Sequence, residues 1–151
     1  MTFDPHPRSV TNPATAPLML LTVAERASLA HSLGVDAVLV APFTPAFAAV
    51  TAEEFLEQTL IGSLKAKAIV IGSDFRFGAQ GHGDTSMLRA LSLGGGFEVD
   101  AVDPVAIGGR TCSSTELRRC LAQGDKRGTY EILGRAQLRH PTGLVIMQRH
   151  A

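Results

Sequence analysis

The sequence predicts an α/β domain built on a parallel sheet with flanking helices. Short runs rich in Val, Ile and Leu recur between segments of helical period, the order expected of strands joined by crossover helices. Capping-box spacings mark helix starts, and a glycine-rich stretch follows directly on a strand's carboxyl end, where open parallel sheets bind ligands.

The elements follow in order. Met1-Thr2-Phe3 reads as a strand stub running into a Pro-rich loop. Thr22-Val23-Ala24-Glu25 opens a helix whose apolar stripe is Val23, Ala27, Ala30 and Leu33, with Gly34 placed at C′ to end it. Val38-Leu39-Val40-Ala41 is expected as a buried strand. Thr51-Ala52-Glu53-Glu54 opens a second helix with the stripe Phe55, Leu56, Thr59, Leu60 and Leu64, ending near Lys65 and Lys67. Ala68 to Gly72 is a further buried strand, and the stretch from Gly72 to Gly83 is too polar and broken to form an element. A short helix from Asp84 through Leu91 leads to the loop Gly94-Gly95-Gly96, Phe97 to Val102 alternates as a strand, and Ser113 to Leu121 begins another helix. Leu144 to Met147 is a lone strand-like tail, and the chain reads as cut at both ends.

Composition narrows the function. The 151 residues are one domain's worth on a prior of about 100 to 200 residues per domain. Lys+Arg equals Asp+Glu at 14 each and aromatics are 5%, which argues against a basic, base-stacking nucleic-acid surface. The longest apolar run, Ala37 to Phe43, falls far short of the roughly 20 residues that span a bilayer, so neither a membrane nor a nucleic-acid partner is expected. Met1 leads into Thr2-Phe3-Asp4-Pro5 without a basic n-region, and Cys112 and Cys120 fit neither C-x-x-C nor a zinc pair. A cytoplasmic protein with reduced thiols is the expectation.

Three segments could carry chemistry. Ser113-Ser114-Thr115-Glu116-Leu117-Arg118 puts three hydroxyls at a helix N-terminus with a guanidinium one turn on, a pattern suited to phosphate. Read as structure alone, Ser113 and Glu116 form a capping box, and Leu117, Cys120 and Leu121 a core stripe. In Gly72-Ser73-Asp74-Phe75-Arg76-Phe77-Gly78, Phe75 and Phe77 wall a planar ligand while Asp74 accepts a hydrogen bond from it, or the two rings enter the core and Asp74 caps a turn. Phe3-Asp4-Pro5-His6-Pro7-Arg8 is stiffened by its prolines and presents His6 and Arg8 to an anion or to solvent. Gly108-Gly109-Arg110 is either a close approach to a ligand or a turn. His31, His140 and His150 read as surface residues, and no triad or metal-ligand set is evident.

Taken together and in order, Thr2-Phe3-Asp4-Pro5-His6-Pro7, Gly34-Val35-Asp36, Pro42-Phe43, Gly72 to Gly78, Gly108-Gly109-Arg110, Ser113-Ser114-Thr115 with Arg118, and Leu133-Gly134-Arg135 resemble the bacterial FAD synthetase module. This is the adenylyltransferase half of the bifunctional riboflavin kinase/FMN adenylyltransferase. The resemblance runs from Met1 to about Ile146 and implies a Rossmann-like nucleotidyltransferase that transfers AMP from ATP to FMN, giving FAD and pyrophosphate with Mg2+ accompanying ATP. It assigns Ser113, Ser114, Thr115 and Arg118 to the ATP phosphates, Arg118 also to catalysis, and Asp4, Pro5, His6, Asp74, Phe75 and Phe77 to the flavin site. No residue is assigned to a metal.

The same resemblance implies a partial nucleotidyltransferase domain over 1–137 and the start of a riboflavin kinase-like domain over 138–151. The family's first strand and helix, with its His-x-Gly-His text, belongs upstream of Thr2, and Gly81-His82-Gly83 lies in the wrong element to replace it. The kinase motif Pro-Thr-Ala-Asn is absent, Pro141-Thr142-Gly143 standing near its place. The expectation is therefore a sheet missing its first strand and helix, impaired or absent turnover in this chain, and self-association through exposed sheet edges. The alternatives are a non-catalytic flavin- or nucleotide-binding remnant and a related nucleotidyltransferase with another acceptor.

Overall fold

A computed structural model describes residues 1–134. In chain order it contains β1 (Thr2–Asp4), α1 (Pro7–Thr11), a 3-10 turn (Pro13–Thr15), α2 (Val23–Ser32), β2 (Val40–Pro42), α3 (Pro45–Ala48) and α4 (Ala52–Glu54), which continues as a π-helical stretch (Phe55–Ser63). Then come β3 (Ala68–Gly72), a 3-10 turn (Ala79–Gly81), α5 (Thr85–Gly95), β4 (Glu98–Val102), β5 (Ala106–Ile107), β6 (Arg110–Thr111), α6 (Ser114–Ala122) and α7 (Lys126–Leu133). The chain divides into two compact units, one formed by Met1–Ala41 with the described residues from Pro104 onward, the other by Pro42–Asp103.

In the first unit, α2 starts where the sequence places it. The Thr22 hydroxyl accepts the Glu25 N–H at 3.2 Å and the Glu25 carboxylate accepts the Thr22 N–H at 2.8 Å, so two otherwise open donors are satisfied reciprocally. Gly34, at φ +89, lets the helix end as expected: its N–H bonds the His31 carbonyl and the Val35 N–H the Ala30 carbonyl, the paired bonds of a Schellman motif. Leu33 departs from the expected stripe and is 78% exposed, because it is the C-cap residue and no longer follows the buried face.

Among the described residues of this unit, the α6–α7 pair supplies the buried side chains, Leu117, Cys120 and Thr129. Asp125 joins three elements: it caps α7 by accepting the Gly128 N–H at 2.8 Å, follows α6, and takes a 2.7 Å bond from Arg110 of β6. Cys112 and Cys120 are both free thiols.

The second unit is built on the parallel pair β3–β4, in register from Ala68 opposite Glu98 to Gly72 opposite Val102. The capping box at Thr51 and Glu54 forms as the spacing predicts and sends Phe55 and Leu56 inward, where they pack with Ala52, Ile69, Phe77, Leu88 and Phe97. Past Phe55 the helix widens to a π pattern, with the Leu64 N–H donating to the Thr59 carbonyl, and Lys65 at φ +51 ends it.

Several expectations need correction. The strand expected at Val38–Ala41 runs from Val40 to Pro42, with Leu39 and Val40 exposed, since its sheet contains only β1 and β2. Ala68–Gly72 is a strand, but only Ile69 is buried and Val70 is 67% exposed; a continuous apolar run does not ensure cover on both faces. Among the described residues the strands pair as β1 with β2, β3 with β4 in the parallel sense expected of the fold class, and β5 with β6 antiparallel. α5 continues through Gly94 and Gly95 and stops at Gly96 in the left-handed region, so two of the three expected loop glycines are helical. The segment 72–83 is also less broken than expected: Phe77 and Gly83 exchange backbone bonds of 3.1 and 2.9 Å around the 3-10 turn. The strand expected at Leu144–Met147, the text at Pro141-Thr142-Gly143, His140, His150 and the domain boundary at 137/138 lie outside the described residues.

Candidate functional site

The first unit contains a cavity of ≈ 860 Å³ walled by the start of α1, the Met19–Leu21 segment, α2 and α6. Its polar side chains include His6, Arg26, Ser114 and Arg118, set among Leu21, Leu29 and Leu117. An apolar lining with a few convergent polar groups is the usual character of a small-molecule site.

His6 is positioned by its own backbone role. As the residue before α1 it accepts the Arg8 N–H on Nδ1 at 3.1 Å, which leaves Nε2 as the protonated nitrogen of the neutral ring. Burial holds its pKa below the ordinary histidine value, and the positive charges of Arg118, Arg8 and Arg26 add to the effect. His6 is therefore a neutral hydrogen-bond donor at pH 7. Arg118, one turn into α6, donates from Nε to the Leu18 carbonyl at 2.8 Å, and burial and the charge of Arg8 lower its pKa. It stays ionised, because a guanidinium pKa lies far above neutrality.

Ser113 is the N-cap of α6 and accepts the Glu116 N–H at 3.2 Å. The expected capping box is only half formed: the Glu116 carboxylate instead takes bonds from Arg119 and lies 3.8 Å from Arg110. The competing arginines hold Glu116 ionised and leave the Ser113 N–H to the Thr111 carbonyl. Ser114 faces the cavity, whereas Thr115 is exposed and outside its lining. Asp4 and Pro5 are also exposed, joined by a cis peptide, and of the Asp4-Pro5-His6 set only His6 reaches the cavity.

Asp74, Phe75 and Phe77 belong to the second unit, in the loop after β3. Phe77 is buried against Phe55, with ring centroids 6.0 Å apart, and is part of the core. Phe75 stacks on Phe77 at 5.9 Å with an interplanar angle of 13° and is 37% exposed. Asp74 is exposed, and the residue that caps the next helix is Asp84, accepting the Met87 N–H at 2.9 Å.

Arg26 is the cavity residue that sequence reasoning passed over. It was legible in principle: Val23, Arg26, Ala27 and Ala30 share one face of α2 at helical spacing, so a guanidinium interrupts an apolar stripe.

Together the fold and the cavity define an α/β domain with an apolar-walled cavity into which several polar and cationic side chains converge. Residues 1–116 match the family model described as FAD synthetase, and the chain belongs to that family. It is 35% identical over 133 residues to the bifunctional riboflavin kinase/FMN adenylyltransferase of Pseudomonas fluorescens, covering 88% of this chain and 42% of that one. The protein of the same description from Escherichia coli K12 is 34% identical over 134 residues, covering 89% of this chain and 43% of its own length. The chain thus spans about two fifths of the length of the curated relatives it matches. A solved structure described as a macrolide-efflux protein from Streptococcus pneumoniae superposes with a TM-score of 0.73 at 29% identity, over 89% of this chain and 43% of that one. Among the described residues no helix is long and apolar enough to cross a membrane.

Proposed function

We propose that this chain is an FMN adenylyltransferase module, transferring AMP from ATP to FMN. The observation that carries the reading is that His6, Ser114 and Arg118, named separately from the sequence, line one cavity in a chain of the FAD synthetase family. In this reaction a phosphate oxygen of FMN attacks the α-phosphorus of ATP, a new P–O bond forms, and the bond to the β-phosphate breaks to release pyrophosphate. No enzyme nucleophile is needed, so the protein's work is alignment and stabilisation of negative charge.

Arg118 meets that charge with a guanidinium that can engage two oxygens at once, and the open N–H groups at the start of α6, Ser114 among them, favour an anion. His6 donates from Nε2 without adding a further formal charge to those of the arginines. In the second unit, Phe75 offers a ring face for a flavin, backed by the buried Phe77, and Asp74 an acceptor for it. Ser113 and Thr115 flank Ser114 at the helix start, and Asp4 and Pro5 hold the loop that delivers His6. Mg2+ would accompany the ATP phosphates. Among the described residues no three His, Cys, Asp or Glu side chains come together as a metal-binding group.

The test is to incubate the chain with FMN, ATP and Mg2+ and to follow FAD by chromatography. The expected result is slow FAD formation, in keeping with the impaired turnover the resemblance implies, that falls about a further 10²-fold in Arg118→Ala, the scale of removing one group that stabilises transition-state charge. Binding of ATP and FMN without FAD would favour a non-catalytic binding module, and preferential use of another phosphorylated acceptor would assign a different nucleotidyltransferase. Failure to bind either ligand would refute the reading.

A further inference from the structure

Three arginines of the first unit, Arg118, Arg8 and Arg26, all bear electrostatically on His6. Among the described residues none of the three is paired with a carboxylate. The contrast lies in the same unit, where Arg110 and Arg119 are neutralised by Asp125 and Glu116. Glu25 lines the cavity next to Arg26, but its carboxylate is committed to the N–H and hydroxyl of Thr22, each at 2.8 Å.

Arg26 is the most exacting of the three. Its Nη1 donates to the Thr2 hydroxyl and to the Phe3 carbonyl at 3.2 Å, whereas Nε and Nη2 are buried with no hydrogen-bond partner among the described residues. Leaving a buried charged donor unmet costs more than the net gain of an ordinary hydrogen bond, and a group of like charges with no counter-ion adds to that cost. Nε and Nη2 form one edge of the planar guanidinium, the edge that pairs with two oxygens of a carboxylate or phosphate. That edge, in shape and charge, is complementary to an oxyanion.

We infer that Arg26 is a phosphate-binding residue of this cavity, acting with Arg118 on one oxyanion, either a phosphate group of a nucleotide or free pyrophosphate. The inference deepens the nucleotidyltransferase reading and rests on it for the identity of the anion. The Thr2 and Phe3 bonds give Arg26 a second effect, since the residue that meets the anion also holds the strand leading to His6.

Isothermal titration of the whole chain with pyrophosphate and with ATP tests this, comparing wild type with Arg26→Gln, Arg26→Lys and the surface control Arg127→Gln, alongside the FAD assay. The expected result is that Arg26→Gln weakens pyrophosphate and ATP at least tenfold, Arg26→Lys weakens them several-fold because the charge remains while the fork is lost, and Arg127→Gln changes neither. Adenosine, which has no phosphate, should bind all four proteins alike, a pattern that general damage to the fold would not produce. If Arg26→Gln does not fold by circular dichroism, the ATP-to-adenosine affinity ratio of Arg26→Lys decides. Wild-type ratios in the folded variants would overturn the role of Arg26 while leaving the adenylyltransferase reading in place. Arg26-dependent pyrophosphate binding without FAD formation would uphold Arg26 and count against that reading, and no pyrophosphate or ATP binding by wild type would overturn both.

Discussion

Gly78 sits at φ +73, and a methyl group added to it would lie 2.5 Å from the backbone nitrogen of Ala52 and 2.6 Å from its Cα. Both faults are local and neither can be relieved by a flexible side chain. Gly78→Ala is expected to destabilise the second unit by about 2 kcal/mol or more, from left-handed strain plus displacement of the α4 start, and urea unfolding would measure it. Asp125 shows electrostatics at the same scale. The Gly128 N–H and then Arg110 hold its pKa below the ordinary aspartate range. A carboxyl with a depressed folded pKa contributes stability that is fully present above its unfolded value and is lost as pH falls through the folded one. Stability of the first unit should therefore decline below about pH 4, and Asp125→Asn should flatten that decline while lowering stability at pH 7, as read by thermal unfolding across pH. Arg26 belongs here too: its type and place on α2 were in the sequence, but its two unmet donors depend on what packs around it.

At the scale of elements, the two capping boxes show how far local chemistry reaches. Thr22 with Glu25 and Thr51 with Glu54 form the same reciprocal bonds, because the interaction needs only four consecutive residues. Thr51→Ala should cost about 1 kcal/mol, measured by chemical denaturation, since the cap directly precedes the buried pair Phe55 and Leu56. β3 shows the opposite case. Ile69 and Val70 are neighbours of the same chemical type in one strand, yet Ile69 is 8% exposed and Val70 67%. Ile69→Ala should cost about 2 to 5 kcal/mol and Val70→Thr no more than about 0.5 kcal/mol, a difference that paired urea curves would resolve. Helix propensity was a weak guide at Gly94 and Gly95, where α5 continues despite the entropic cost of glycine.

Across the whole molecule, proposed site residues are divided between units. His6, Ser114 and Arg118 belong to the first, while Asp74, Phe75 and Phe77 belong to the second, whose core includes Phe77. Ligand linkage gives this division a measurable consequence. ATP at 100 times its dissociation constant should raise the opening free energy of the first unit by about 2.7 kcal/mol, seen as slower hydrogen exchange at amides of α2 and α6. Unchanged exchange at those amides under saturating ATP would count against the cavity as the nucleotide site.

Helix starts, the glycine stop of α2, the β3 and β4 positions and the hydroxyl-rich start of α6 were legible in sequence because each is decided within a few residues. The ordered motifs, by resemblance, pointed to the family as well. The exposure of Val70, the burial of Phe77, the diversion of Glu116 from its box to two arginines and the meeting of His6 with Arg26 and Arg118 were not legible. Those outcomes depend on partners far along the chain, and no local periodicity records which distant side chains will compete for a carboxylate, cover a strand face or leave a guanidinium without an acceptor.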